Sequence, residues 1–204
     1  MNVPSWLKTN VSRETLDRLE AYVALIEKWN PKINLVSQSS LPYIWDRHIW
    51  DSAQIFDIDV EGSIWADFGS GGGLPGIVLA IFAKELRPEM QFHLVESDQR
   101  KCAFLRNAVR EIGLNVKVYA ERIEVLDPIV ADIISARALT DLNGLLEFVD
   151  RHSAVDGVAI LPKGETWAKE ISQAQENWSF EYEEITSNTN SNAAIIVIKE
   201  FARV

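Results

Sequence analysis

The chain has 204 residues, 47% hydrophobic and 25% charged, a balance that suits one folded globular unit with a small appendage and excludes disordered, fibrous and membrane-spanning classes. The longest purely apolar stretch, Ile77 to Ala83, is far too short to cross a bilayer, and no basic segment leading into an apolar one opens the chain, so a cytoplasmic protein is expected. A formal net charge of -10 weighs against a partner held by its phosphates.

From Ser12, the apolar residues Leu16, Leu19, Val23 and Ile26 recur at three- and four-residue steps, which predicts a helix capped by Ser12, extended by Trp29 and stopped at Asn30-Pro31. Leu41, Ile44, His48, Ile49 and Ile55 predict a second helix after a polar link. With no strand signal before residue 60, residues 1–60 read as a helical appendage to a main domain at 61–204.

Ile64 to Phe68 then reads as a buried strand that runs into Gly69-Ser70-Gly71-Gly72-Gly73 and a helix opened by Pro75. A strand at Phe92 to Glu96, a helix at Gln99 to Ile112, strands at Val116 to Tyr119 and Asp132 to Ser135, a helix at Leu139 to His152 and a strand at Val158 to Leu161 follow. After a helix from Thr166 to about Glu176, two strands at Phe180 to Ile185 and Ala194 to Lys199 flank a polar turn. The alternation predicts an α/β fold, Rossmann-like, with a mostly parallel seven-stranded sheet that ends in an antiparallel hairpin. Cys102, the single cysteine, shares a helical pattern with Leu105 and Val109 and reads as a packing residue.

Glycines packed this densely after a strand let the backbone turn sharply and let a ligand approach closely. Gly69, Gly71 and Gly73 have the spacing found in binders of S-adenosyl-L-methionine (AdoMet), whereas Gly71, Gly73 and Gly76 also satisfy the dinucleotide G-x-G-x-x-G. Pro75 removes one N–H that a pyrophosphate would use, which favours the phosphate-free ligand. Glu96, at the end of the second strand, is placed to accept hydrogen bonds from ribose hydroxyls. Arg137 follows the fourth strand, at the carboxyl edge where open sheets bind ligands. Arg47, His48 and Asp51 are spaced to share a helix face and to grip a substrate. No metal is expected.

Trp29-Asn30-Pro31-Lys32-Ile33-Asn34-Leu35, Arg47 to Ser52, Asp67 to Gly76, Glu121-Arg122-Ile123-Glu124, Ser135 to Leu139 and Leu161-Pro162-Lys163-Gly164, in this order, resemble the bacterial small-subunit rRNA guanine-N7 methyltransferases, also called glucose-inhibited division protein B. Two motifs depart from the family pattern, as Ser135-Ala136-Arg137-Ala138 and Asp51-Ser52-Ala53. The resemblance implies a class I AdoMet-dependent methyltransferase acting on guanine-527 of 16S rRNA, free or in the small ribosomal subunit; separately, a monomer is expected. It implies that Gly69 and Leu74 line the methionine and ribose side of AdoMet, that Ile123 and Glu124 flank its adenine, and that Arg137 sits at the cofactor or the target base. Guanine N7 has a free lone pair and no proton, so no general base is needed and no catalytic residue in that sense is expected. Alignment alone, worth an effective molarity of roughly 10⁵ M or more, suffices. Trp45, Trp50 and Phe68 are candidates to stack on the base. Glu165, Glu170, Glu176, Glu181, Glu183 and Glu184 concentrate acidity late in the chain, leaving Lys8, Arg13, Arg18, Lys28, Lys32, Arg47, Arg100, Lys101, Arg106, Arg110 and Arg122 for a modest basic patch. The rival readings are a nicotinamide oxidoreductase, a non-catalytic AdoMet-binding module, and a methyltransferase of a small molecule or protein.

Overall fold

The computed structural model describes residues 11–204, so Lys8 of the basic patch lies outside the described residues. Seven strands form one sheet in the order β3-β2-β1-β4-β5-β7-β6. They are β1 (Ile64–Phe68), β2 (Gln91–Val95), β3 (Val116–Tyr119), β4 (Ala131–Ala136), β5 (Ser153–Lys163), β6 (Trp178–Thr186) and β7 (Ala194–Arg203). Pairs from β3 through β5 are parallel, and β7 is antiparallel to both β5 and β6, so the final hairpin and the parallel body are as the sequence predicts.

The helices are α1 (Arg13–Ile33), α2 (Gly76–Leu86), α3 (Gln99–Ile112), α4 (Leu142–His152) and α5 (Trp167–Ala174). Every residue from Gly76 to Ala83 is buried, because α2 has two apolar neighbours. Leu79, Ala80 and Ala83 pack on Trp65, Phe92 and Ile133 of the sheet, while Ile77, Val78, Ile81 and Phe82 pack on Leu19, Tyr22 and Ile26 of α1. A helix that is apolar all round must be sandwiched in this way. Residues 11–60 thus share a core with the sheet's helices, as a third layer above α2. On the opposite face, α4 and α5 cover Ala66, Phe68, Ile134 and Ala136.

Several boundaries differ from the sequence expectation. Pro31 lies inside α1, which ends when Asn34 turns left-handed at φ 49. Asn30 is buried and its Oδ1 accepts the Val36 N–H at 2.9 Å, so the chain is tied down one turn later than the proline suggests. The second helix is a helical run over 41–57 of changing pitch, with a π-helical turn at Trp45–Trp50 between two 3₁₀ turns. Ile44 and Ile49, both fully buried, are five residues apart, and the wider turn brings both to the core. Pro75 caps α2 from outside rather than opening it, and Glu96 stands one residue beyond β2. The helix expected from Leu139 starts at Leu142, because the Asp141 carboxylate accepts the Gly144 N–H at 2.8 Å and Ala138 is left-handed at φ 52. β5 runs from Ser153, well before Val158, and α5 stops at Ala174.

Candidate active site

The glycine turn leaves β1 at the carboxyl edge of the sheet. Gly69 has φ 63, and a Cβ there would stand 2.7 Å from Leu139 Cδ1. Gly73 has φ 87, and a Cβ would meet Ile77 Cγ1 at 2.4 Å and Tyr22 Oη at 2.9 Å. Both positions need glycine twice over, for conformation and for room. Tyr22, fully buried on α1, donates its hydroxyl to the Gly72 carbonyl, so the N-terminal layer pins the turn from above. Periodicity marked α1 as apolar but gave no sign that its tyrosine would reach the turn.

Glu96 is buried beside the turn. Its Oε2 accepts the Gly71 N–H at 2.9 Å and its Oε1 accepts the Asp98 N–H at 2.8 Å. A carboxylate has about four acceptor sites, so two remain for a ligand. Gly69, Glu96, Ile123 and Glu124 line one cavity of about 310 Å³, together with Val95, Lys101, Ala138, Leu139 and Phe148. Gly71, Gly73, Leu74 and Arg137 do not line it, and the Leu74 side chain packs in the core with Tyr22 and Ile77. The segment carrying Ile123 and Glu124 is fixed from below by His152, which is buried at the end of α4. Its Nε2 donates to the Ile123 carbonyl at 2.9 Å and its Nδ1 accepts the Ile129 N–H at 3.3 Å. Glu124 is paired with Arg122 at 2.7 Å.

Beneath the turn lies Asp67, with no exposure at all. It neighbours Ser135 across the β1–β4 pair, and Ser135 Oγ donates to its Oδ1 at 2.8 Å. Its Oδ2 is buried and faces the Gly76 backbone, with no hydrogen bond of good geometry among the described residues. Burial raises its pKa to about 6, against the opposing hydrogen bond from Ser135. Sequence reasoning passed over this residue, although a carboxylate inside Ile-Trp-Ala-Asp-Phe was a visible signal.

A second, larger cleft of about 690 Å³ adjoins the first, and Ala138 lines both. It is walled by Asp46, Arg47, Trp50 and Asp51 of the helical run, by Arg137, by Lys163 at the end of β5, and by Ser187 to Asn190 of the β6–β7 turn. Here the structure brings together residues that lie far apart in the chain. Arg137 Nη1 donates to Asp51 Oδ2 at 3.1 Å and Nη2 to His48 Nδ1 at 3.3 Å. His48 Nε2 then donates to Ser40 Oγ at 2.8 Å. Burial, reinforced by the Arg137 charge, pushes the His48 pKa down to about 4, so its Nδ1 lone pair stays available. Lys163 is ion-paired with Glu170 at 2.8 Å.

The family model for rRNA small subunit methyltransferase G matches residues 15–196. The chain belongs to this family. It is 53% identical to the ribosomal RNA small subunit methyltransferase G of Ruegeria pomeroyi over 204 residues, covering 100% of both chains. It is 50% identical to that of Paracoccus denitrificans over 192 residues, covering 93% of this chain and 96% of the relative. The fold resembles a SAM-dependent methyltransferase from Aquifex aeolicus, with a TM-score of 0.58 and 14% identity, covering 87% of this chain and 97% of that one. The chain is therefore an AdoMet-dependent rRNA methyltransferase of class I fold, and the oxidoreductase reading falls.

The enzyme's aromatic candidates separate accordingly. Trp45 is buried in the core and Phe68 packs edge-on against His152, whereas Trp50 lines the larger cleft. Cys102 is buried and donates to the Glu96 carbonyl. Among the described residues no helix is long and apolar enough to cross a membrane.

Proposed function

We propose that the enzyme methylates N7 of guanine-527 in 16S rRNA, with AdoMet in the smaller cavity and the base in the larger. The observation that carries this reading is that two cavities share a wall at Ala138, one beside the glycine turn and the other centred on Arg137. The residues of the smaller cavity suit the cofactor's chemistry. Glu96 keeps acceptor sites for ribose hydroxyls, Ile123, Val95 and Phe148 offer an apolar slot for adenine, and Glu124 borders it. Gly69, Gly71, Gly73 and Leu74 shape the turn, and buried Asp67 places negative potential beneath it, suited to a cationic ligand. When bound, AdoMet supplies an electrophilic methyl whose S–C bond breaks as the N7 lone pair forms the new C–N bond, the electron pair leaving with sulfur. No proton moves, so the protein's part is alignment and exclusion of water. Arg137, held in place by His48 and Asp51, positions the base, and Trp50 is the aromatic to stack on it.

The acidic charge and the ion pairing of Lys163 and Arg137 also suit a smaller acceptor, but family membership favours RNA. The ribosomal substrate supports a cytoplasmic setting, and we propose a monomer as the acting species.

The test is transfer of labelled methyl from AdoMet to small subunits from a strain lacking this protein, followed by chemical cleavage at 7-methylguanosine. One new cleavage, at guanine-527, is expected. Label without that cleavage, or label only on protein or small molecules, would refute the reading.

A further inference from the structure

Asp51 is engaged on every side. Besides Arg137 on Oδ2, its Oδ1 accepts Thr189 Oγ1 at 2.7 Å and Gln54 Nε2 at 3.1 Å. Gln54 in turn donates to Ser187 Oγ at 3.2 Å and accepts the Asn188 N–H at 2.8 Å. One carboxylate thus ties together the helical run, the exit from β4 and the β6–β7 turn, which are three walls of the larger cleft. We propose that Asp51 is the positioning residue that aims the Arg137 guanidinium at the acceptor base, an inference that rests on reading the larger cleft as the acceptor site.

Arg137 offers five N–H groups in one plane. Asp51 and His48 engage one on each terminal nitrogen, which fixes that plane, and the remaining donors are left for the cleft that Arg137 lines. An untethered arginine would surrender rotamer entropy on meeting the base. The edge of guanine that carries N7 also carries O6, so a donor to O6 can hold the base while N7 stays free to react. Alkylation of N7 builds positive charge on the ring, which a lone guanidinium at O6 would oppose. The Asp51 carboxylate behind Arg137 offsets that repulsion, so its removal must be felt in turnover as well as in binding.

The experiment compares wild type, Asp51→Ala, Asp51→Asn, Asp51→Glu, Arg137→Ala and the Asp51→Ala/Arg137→Ala double variant. Each is measured for AdoMet affinity by calorimetry, for thermal midpoint, and for kcat and KM on unmethylated small subunits. Asp51→Ala is expected to keep AdoMet affinity within threefold while kcat/KM falls at least 30-fold, most of it in kcat. Asp51→Asn, which retains an acceptor oxygen but no charge, is expected to fold as wild type and show the same kcat loss, and Asp51→Glu to recover part of it. Adding Asp51→Ala to Arg137→Ala is expected to cost less than threefold more, since the two act as one unit. Additive losses, full activity of Asp51→Ala, or activity lost only in step with AdoMet binding or folding would overturn the proposal. An inactive wild type overturns the functional reading and this proposal together, whereas an active wild type with an equally active Asp51→Ala overturns this proposal alone.

Discussion

Asp67 sits in a strand otherwise built of Ile, Trp, Ala and Phe, fully enclosed, with one oxygen bonded to Ser135 and the other without a hydrogen bond of good geometry among the described residues. Its folded pKa of about 6 stands above the 3.8 of a free aspartate, so the folded state favours the proton more than the unfolded state does. The stability this contributes is complete below pH 3.8 and drains away as pH rises through 6. Between pH 5 and 7.5 the wild type should lose about 1 kcal/mol from this group, given roughly 1.4 kcal/mol per pKa unit. Urea unfolding of wild type and Asp67→Asn at the two pH values measures it: the variant's advantage should grow with pH, and a constant difference would show that Asp67 does not titrate there. A carboxylate that weakens the fold at neutral pH points to a functional reason for its place. Part of this was open to sequence reading, since Asp67 precedes the glycines, but its partner Ser135 is 68 residues away and only the sheet register joins them. Arg137 and His48, 89 residues apart, were each picked out from local context, yet nothing local could show that they meet.

Among the elements, those with strong local signals were legible in full: β1, α3 and β3 run as the periodicity predicts, and in the structure Asp98 and Gly113 close α3 at its two ends. Failures occur where long-range bonds override local preference. Asn30 holds Val36 and carries α1 past its proline, and the π-helical turn exists because two isoleucines five residues apart must both reach the core. The segment between β3 and β4 likewise has no regular structure, and its shape comes from His152 on α4 and from Arg151, which donates to the Leu126 carbonyl at 2.9 Å. His152→Phe preserves an aromatic against Phe68 but leaves the Ile123 carbonyl and Ile129 N–H unpaired. That should cost about 2–6 kcal/mol, at 1–3 kcal/mol per orphaned group. AdoMet affinity should weaken several-fold, because Ile123 borders the cavity proposed for the cofactor. Denaturant melts and calorimetry check both, and unchanged cofactor affinity would show that this anchor does not reach the cavity.

On the scale of the molecule, a net charge of -10 must be reconciled with an RNA substrate. Of the cations on the larger cleft, Arg137 is paired with Asp51 and Lys163 with Glu170, while Arg47 is exposed and in no ion pair among the described residues. With one phosphate neutralised by Arg47, affinity for the small subunit should fall only about 3.5-fold between 50 and 200 mM salt, against the 10³–10⁵ expected of a protein making 6–10 phosphate contacts. A salt titration of binding decides this, and a steep slope would mean that a basic face elsewhere carries the RNA.

Ala138 has a consequence of its own. Ala138, left-handed at φ 52, lines both cavities, so on the proposed reading the cofactor and acceptor sites share this residue as a common wall. If filling one chamber moves that partition, the free energy is shared by both occupants, and each must alter the other's hold by the same factor.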